Sequence, residues 1–185
     1  AIMTKNVLVG RLGGGEGAAG RDAVDIEVKL TGFGSLREVL RTDEYISLSN
    51  VAEDAMLDVR WMAVESFTHN RFSVKSDVWS FGILLWELFS YARKPYGAFN
   101  PSEIAQEVKS GRRLEHAEGC PYVLHDEMTK CWHDFDSRRP TFGSLQGTMQ
   151  LILMKDADAL RASVAAATKV SADSLKWLQW NVPNK

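Results

Sequence analysis

Cys120, His125, Cys131 and His133 are of the residue types that ligate zinc. Their spacing does not match the paired Cys-x-x-Cys or His-x-x-x-His sets that close around the ion. On a helix expected from Pro121, His125 and Cys131 lie six apart and point to different faces. The pattern fits a core-packed Cys131 and a solvated His125 better, and His69 and His116 stand alone in loops. A second candidate is Arg11-Leu-Gly-Gly-Gly-Glu-Gly-Ala-Ala-Gly-Arg-Asp22, whose glycines could let backbone amides wrap a phosphate. A phosphate loop needs Gly-Lys-Ser/Thr opening a helix, and a dinucleotide fingerprint needs a helix after its glycines. Here no such lysine follows and the next run reads as a strand, so the stretch is expected to be a flexible hairpin insertion.

The elements that must position any site are easier to read. Residues 6–10 read as a short buried strand, and 26–33, alternating apolar and polar, as its partner. Residues 35–58 are polar and weakly periodic, and read as a long loop. Residues 60–65 lead into the stretch around which the chain is organised, Ser73 to Ser90. It reads as a helix that is apolar nearly all round, through Val78, Trp79, Phe81, Ile83, Leu84, Leu85, Trp86, Leu88 and Phe89. Such a helix must be buried on most sides, yet Ser80, Gly82 and Glu87 interrupt it too often for a membrane span. Ser73 and Ser76 are both candidate N-caps. Arg93, Lys94 and Pro95 follow its C-terminal end.

Further helices surround it. Asn100-Pro-Ser-Glu103 carries an Asn cap, Pro in the first turn and Glu three after the cap; its helix stops at Gly111. A third begins at Pro121, with Leu124, Met128 and Cys131/Trp132 on one face. A fourth begins near Thr141, with Phe142, Leu145, Met149 and Ile152 at helical spacing, after a turn at Arg138-Arg139-Pro140. In the tail, Leu175, Trp177, Leu178 and Trp180 give a short apolar face, for docking on the chain's own body or for binding a partner.

Length and charge bound the function. A chain of 185 residues fits one domain of ordinary size. A net charge of −2 argues against electrostatic binding of nucleic acid or a membrane surface. Two cysteines give no disulfide framework and suit a reducing compartment. No secretory signature or transmembrane run is present, and the start at Ala1 suggests a fragment.

Several motifs in a fixed order carry a family resemblance: Val59-Arg-Trp-Met-Ala-Val-Glu-Ser66, Ser76-Asp-Val-Trp-Ser-Phe-Gly82, Cys120-Pro, Cys131-Trp and Arg139-Pro-Thr-Phe142. Together, with Gly111-Arg-Arg-Leu114 ahead of Glu118-Gly-Cys-Pro121, they resemble the C-terminal lobe of a protein tyrosine kinase of the receptor type, over roughly residues 1–153. The fold this implies is mainly α (α+β): a kinase-like C-terminal lobe with a small β-hairpin, the N-terminal lobe absent. Residues 1–34 would be a catalytic-loop and hairpin remnant, 35–66 the activation segment, 67–153 the helical subdomain and 154–185 a helical tail.

The resemblance also implies roles. Ala63-Val64-Glu65 stands where the family has Ala-Pro-Glu, so Glu65 would pair with Arg139 and fasten the activation segment. Asp77 would hydrogen-bond the catalytic-loop backbone, although an acid favoured by the helix dipole explains it as well. Arg60, Trp61 and Met62 would position a substrate tyrosine. Tyr45, after Asp43 and Glu44, sits at the family's autophosphorylation position; an ordinary exposed loop tyrosine is the alternative. A phosphate there, carrying about −1.5 to −2 charge, would need a basic partner such as Arg37 or Arg41.

The catalytic positions depart from the family. Asn6 matches the metal-binding Asn of the catalytic loop, but the base position five residues earlier is Ala1. The metal-binding Asp of Asp-Phe-Gly is Gly32, and the catalytic-loop Ala-Ala-Arg is Met3-Thr4-Lys5. No glycine-rich loop, strand lysine or helix glutamate precedes them. The family uses ATP and Mg; this chain is expected to bind neither productively and to be catalytically impaired. The alternative is a non-catalytic interaction or docking module. Expected partners are proteins, including an upstream tyrosine kinase, with no nucleic acid and no membrane span. The expected location is cytoplasmic, or the cytoplasmic side of a membrane receptor.

Overall fold

The computed structural model describes residues 6–11, 26–31 and 59–155. Residues 1–5, Gly32, the glycine-rich insertion, the 35–58 loop with Tyr45, and the tail beyond residue 155 lie outside the described residues. Strands β1 (Val7–Arg11) and β2 (Ile26–Leu30) pair antiparallel, Val7 opposite Leu30 and Arg11 opposite Ile26. The Thr31 amide donates to the Asn6 carbonyl at 2.8 Å and closes the open end of this ribbon. The ribbon is not the buried strand pair that its apolar run suggests. Leu8 is 57 % and Val9 68 % exposed, and Val28 and Leu30 on the partner strand are exposed too. A run of apolar residues shows that a strand can be buried, not that a second layer lies over it.

Among the described residues five helices follow: α1 (Val64–His69), α2 (Val74–Phe89), α3 (Pro101–Lys109), α4 (Tyr122–Cys131) and α5 (Phe142–Lys155). The 3-10 turns Val59–Trp61 and Asp136–Arg138 lie before α1 and α5. α1 corrects the expectation that 60–65 run straight into the central helix. It ends at Asn70 in the left-handed conformation, φ 53°, and 71–73 then reset the chain for α2.

Ser73 and Ser76 form one device at the start of α2. The Ser73 hydroxyl accepts from the Ser76 amide at 3.2 Å, and the Ser76 hydroxyl accepts from the Ser73 amide at 2.9 Å. Both first-turn donors are thus satisfied reciprocally. α3 begins the same way: Asn100 Oδ1 accepts from the Glu103 amide at 3.0 Å, while Glu103 Oε2 accepts from the Asn100 amide at 2.7 Å.

α2 is the centre of the helical body. Val78, Trp79 and Ile83 are fully buried, and Leu84, Leu85 and Trp86 nearly so. Around them pack Ile104 and Val108 from α3, Leu124, Met128 and Cys131 from α4, and Leu145 and Ile152 from α5. Each large apolar side chain taken fully from water contributes about 1.5–3 kcal/mol before entropy. The helix is not covered all round, however. Leu88 is 56 % exposed, so among the described residues one edge of α2 is open; Asp77 is exposed in part, yet burial raises its carboxyl pKa above the ordinary value. α4 approaches α2 at Gly82, where an added Cβ would lie 2.6 Å from Trp132 Nε1 and 2.8 Å from Cys131 Cβ. Only a residue without a side chain permits that contact. Among the described residues no helix is long and apolar enough to cross a membrane.

Candidate functional site

The chemistry-bearing residues expected from the sequence gather in two places. One is the buried end of α1. Glu65 and Arg139, 74 residues apart, meet there as a bidentate pair. Arg139 Nη1 donates to Glu65 Oε1 and Nη2 to Glu65 Oε2, both at 2.7 Å. Both side chains are buried, and the remaining guanidinium donors are used: Nε to the His133 carbonyl at 2.8 Å and Nη1 to the Lys75 carbonyl at 3.0 Å. The guanidinium carbon also lies 5.0 Å from the centre of the Trp79 ring, and that of Arg113 lies 4.7 Å from it. A buried charge is tolerated only when paired and hydrogen-bonded, and this one is.

The second place is the segment Arg60–Met62, expected to position a substrate. Its side chains turn inward. Arg60 donates to the carbonyls of Pro95 at 2.6 Å, Gly97 at 3.3 Å and Phe99 at 2.5 Å, all in the α2–α3 loop. Partial burial lowers its pKa from the ordinary value. The Trp61 indole donates to Glu87 Oε2 at 2.9 Å, and the Ser80 hydroxyl donates to the Trp61 carbonyl at 2.7 Å. Met62 and Ala63 are buried. These residues therefore fix the shape of the segment against α2 and the α2–α3 loop.

Asp77 sits in the first turn of α2. The catalytic-loop segment 1–5 that it is expected to bond lies outside the described residues, as do Ala1, Gly32 and Tyr45. Asn6 is held beside Thr31 at the end of the β-ribbon, which puts the Asn position next in space to the strand that leads to Gly32. Of the positions expected to meet ATP-bound magnesium, Asn6 lies among the described residues, and its side chain offers a neutral amide oxygen.

A cluster around α4 was not visible in the sequence. His116, read there as standing alone, stacks on Tyr122 at 4.5 Å between ring centres. It also meets His125 edge-on at 5.0 Å. His125 is half-buried rather than solvated, 6.4 Å from the Trp132 ring. Burial, then the neighbouring His116, pushes its pKa below the ordinary 6.5, with Asp126 opposing. Helical spacing relates His125 to Tyr122 and Trp132, but His116 comes from the preceding loop, so no local period reveals it. Burial also pushes the Cys120 thiol up to about 11 and the Cys131 thiol up to about 12. Both are packed thiols.

The comparisons with known proteins agree with this architecture. Residues 1–149 match the model of the family described as protein tyrosine and serine/threonine kinase. The chain is similar to the tyrosine-protein kinase transmembrane receptor Ror of Drosophila melanogaster, 37 % identical over 123 residues, covering 66 % of this chain and 17 % of that protein. It is similar to the protein sevenless of Drosophila virilis, 38 % identical over 125 residues, covering 68 % of this chain and 5 % of that protein. The chain thus spans under a fifth of the length of either relative. With its helical body, its two-stranded antiparallel ribbon and these matches, the chain belongs to the protein tyrosine and serine/threonine kinase family.

Proposed function

We propose that this chain is the C-terminal lobe of a tyrosine-kinase-like domain and that it does not itself transfer phosphate. One observation carries the reading: both carboxylate positions of the family's catalytic apparatus are filled by residues with no carboxylate, Ala1 and Gly32. Without the first, no side chain accepts the proton of the attacking tyrosine hydroxyl. Without the second, the metal that neutralises phosphoryl charge loses its main ligand. Asn6 cannot replace either, because an amide is neither a base nor an anionic ligand. ATP and magnesium, the family's cofactors, are therefore not held productively.

In this reading Glu65 and Arg139 fasten the activation segment to the helical body, and Asp77 braces the catalytic-loop backbone. Arg60, Trp61 and Met62 act as positioning residues, holding the segment's shape through the α2–α3 loop. Tyr45 is a phosphate acceptor for an upstream tyrosine kinase on the cytoplasmic side of a membrane. The test is transfer of labelled phosphate from ATP to a glutamate–tyrosine copolymer. The expected result is none above a blank. Turnover that disappears on Asn6→Ala would overturn the proposal.

A second reading, a non-catalytic docking module, is favoured by the exposed apolar residues Val9, Val28 and Leu30, which the register puts on one face of the ribbon. Exposed apolar clusters of this kind mark interaction surfaces. Phosphorylation of Tyr45 by an added tyrosine kinase, followed by retention on a phosphotyrosine-binding domain, supports it; a chain left unphosphorylated counts against it.

A further inference from the structure

A groove of about 380 Å³ opens between the α2–α3 and α3–α4 loops. Trp86, Tyr96 and Phe99 give it aromatic walls, and Arg93, Lys94 and Arg112 bring cations to it. Charge and ring surface coincide there: Arg93 lies over Trp86 at 5.9 Å and Arg112 over Phe99 at 5.5 Å. Arg93 and Lys94 are exposed, and among the described residues no carboxylate pairs with either. Arg112 shares its charge with Glu107 at 2.6 Å, and Glu115 is the acid on the groove itself. Arg113 also lines the groove, but its guanidinium is spent inward on Asp134, the Trp132 carbonyl and the Trp79 ring. In a chain of net charge −2, this is a local excess of positive charge beside aromatic surface.

The loop that carries the free cations is held in an unusual shape. Tyr91, Ala92 and Tyr96 have φ of 56°, 57° and 58°, in the left-handed region that non-glycine residues rarely enter. Each such residue costs on the order of 1 kcal/mol or more, so the surroundings must impose the shape. Arg60 does so around Tyr96, through the carbonyls of Pro95, Gly97 and Phe99, while at the other end the Ala92 amide donates to the Glu87 carbonyl at 2.8 Å. A preformed groove loses little entropy when it is filled.

We propose that this groove is a docking site for an acidic peptide segment of a partner protein, its carboxylates on Arg93 and Lys94 and an apolar or aromatic side chain against Trp86 and Phe99. The charge is complementary to acid. The aromatic walls favour a peptide side chain over a bare anion. This assignment stands apart from whether the chain transfers phosphate.

The test is fluorescence anisotropy of the full chain with a fluorescein-labelled Glu-Glu-Asp-Tyr-Glu-Glu-Leu peptide. The expected result is saturable binding that weakens with salt and falls about tenfold in Arg93→Glu/Lys94→Glu. Lys155→Glu, at the end of α5 and not among the residues that line the groove, should leave it unchanged, and a melting curve should show each variant folded. A Gln/Asn version of the peptide should bind at least about tenfold more weakly. The proposal is overturned by absence of binding, by equal binding of the neutral peptide, or by an equal loss in Lys155→Glu. It is also overturned if the double variant loses only adhesion to phosphatidylserine vesicles, since the groove cations would then serve a lipid surface.

Discussion

Arg139 shows how much one side chain can hold. It joins α1 to the turn before α5 through Glu65, and its remaining donors reach the carbonyls of Lys75 and His133. Arg139→Met should therefore lower unfolding free energy by about 3–5 kcal/mol, because the Glu65 carboxylate is left buried and bare. Urea denaturation measures this, and Glu65→Leu/Arg139→Met should recover part of the loss. Arg139→Lys keeps the charge but cannot make the fork, and should fall between. The two thiols give a second prediction. With pKa values pushed up to about 11 and 12, Cys120 and Cys131 should resist iodoacetamide at neutral pH and react once the chain is unfolded. His125 gives a third. Its pKa is lowered in the folded chain, so its neutral form is favoured; its contribution is complete above the ordinary 6.5 and is lost as pH falls through the folded value. The melting temperature should drop less steeply for His125→Gln than for the parent as pH is lowered from about 8 to about 5.5. Of these residues, the sequence made Cys131 legible as core through its place beside Trp132 on an apolar face. His125 was misread as solvated, because the ring that desolvates it comes from another loop.

At the scale of the element, the sequence spoke through caps and periods. The Asn100–Glu103 box was readable because its partners lie within three residues; at α2 the sequence offered Ser73 and Ser76 as candidate caps, and the structure joins the two in one box. Asn100→Ala should cost about 0.5–2 kcal/mol in the same urea titration. α1 was not readable: Val64–His69 is only six residues long, too short for a period to show. Gly82 was legible only as an interruption of α2. Its reason is α4, since any side chain there would press on Trp132 and Cys131. Gly82→Ala should destabilise by about 1–3 kcal/mol despite alanine's better helix propensity, and thermal unfolding decides the sign. Leu88 carries the opposite lesson. It continues an apolar run, yet no neighbour covers it among the described residues, so composition overstated how far α2 is enclosed.

For the whole molecule, the helical body was foreseeable because one greasy helix demands others, and α3, α4 and α5 carry matching apolar faces. The groove between the loops was not, since it depends on where Arg60 anchors the α2–α3 connection rather than on any residue pattern within it. The same distinction governs the exposed ribbon: sequence reports apolarity, and only tertiary neighbours report cover. The Glu65–Arg139 pair has a consequence for synthesis on the ribosome. Its two halves are 74 residues apart, and at about 5–20 residues per second the guanidinium is made roughly 4–15 s after the carboxylate. During that interval the nascent chain carries an acid destined for the interior with no counter-charge yet translated. A message cut short between the Cys131 and Arg139 codons would release a polypeptide that keeps α2 to α4 but lacks the cation its interior requires, and such a product should be a substrate for quality control rather than a smaller stable lobe.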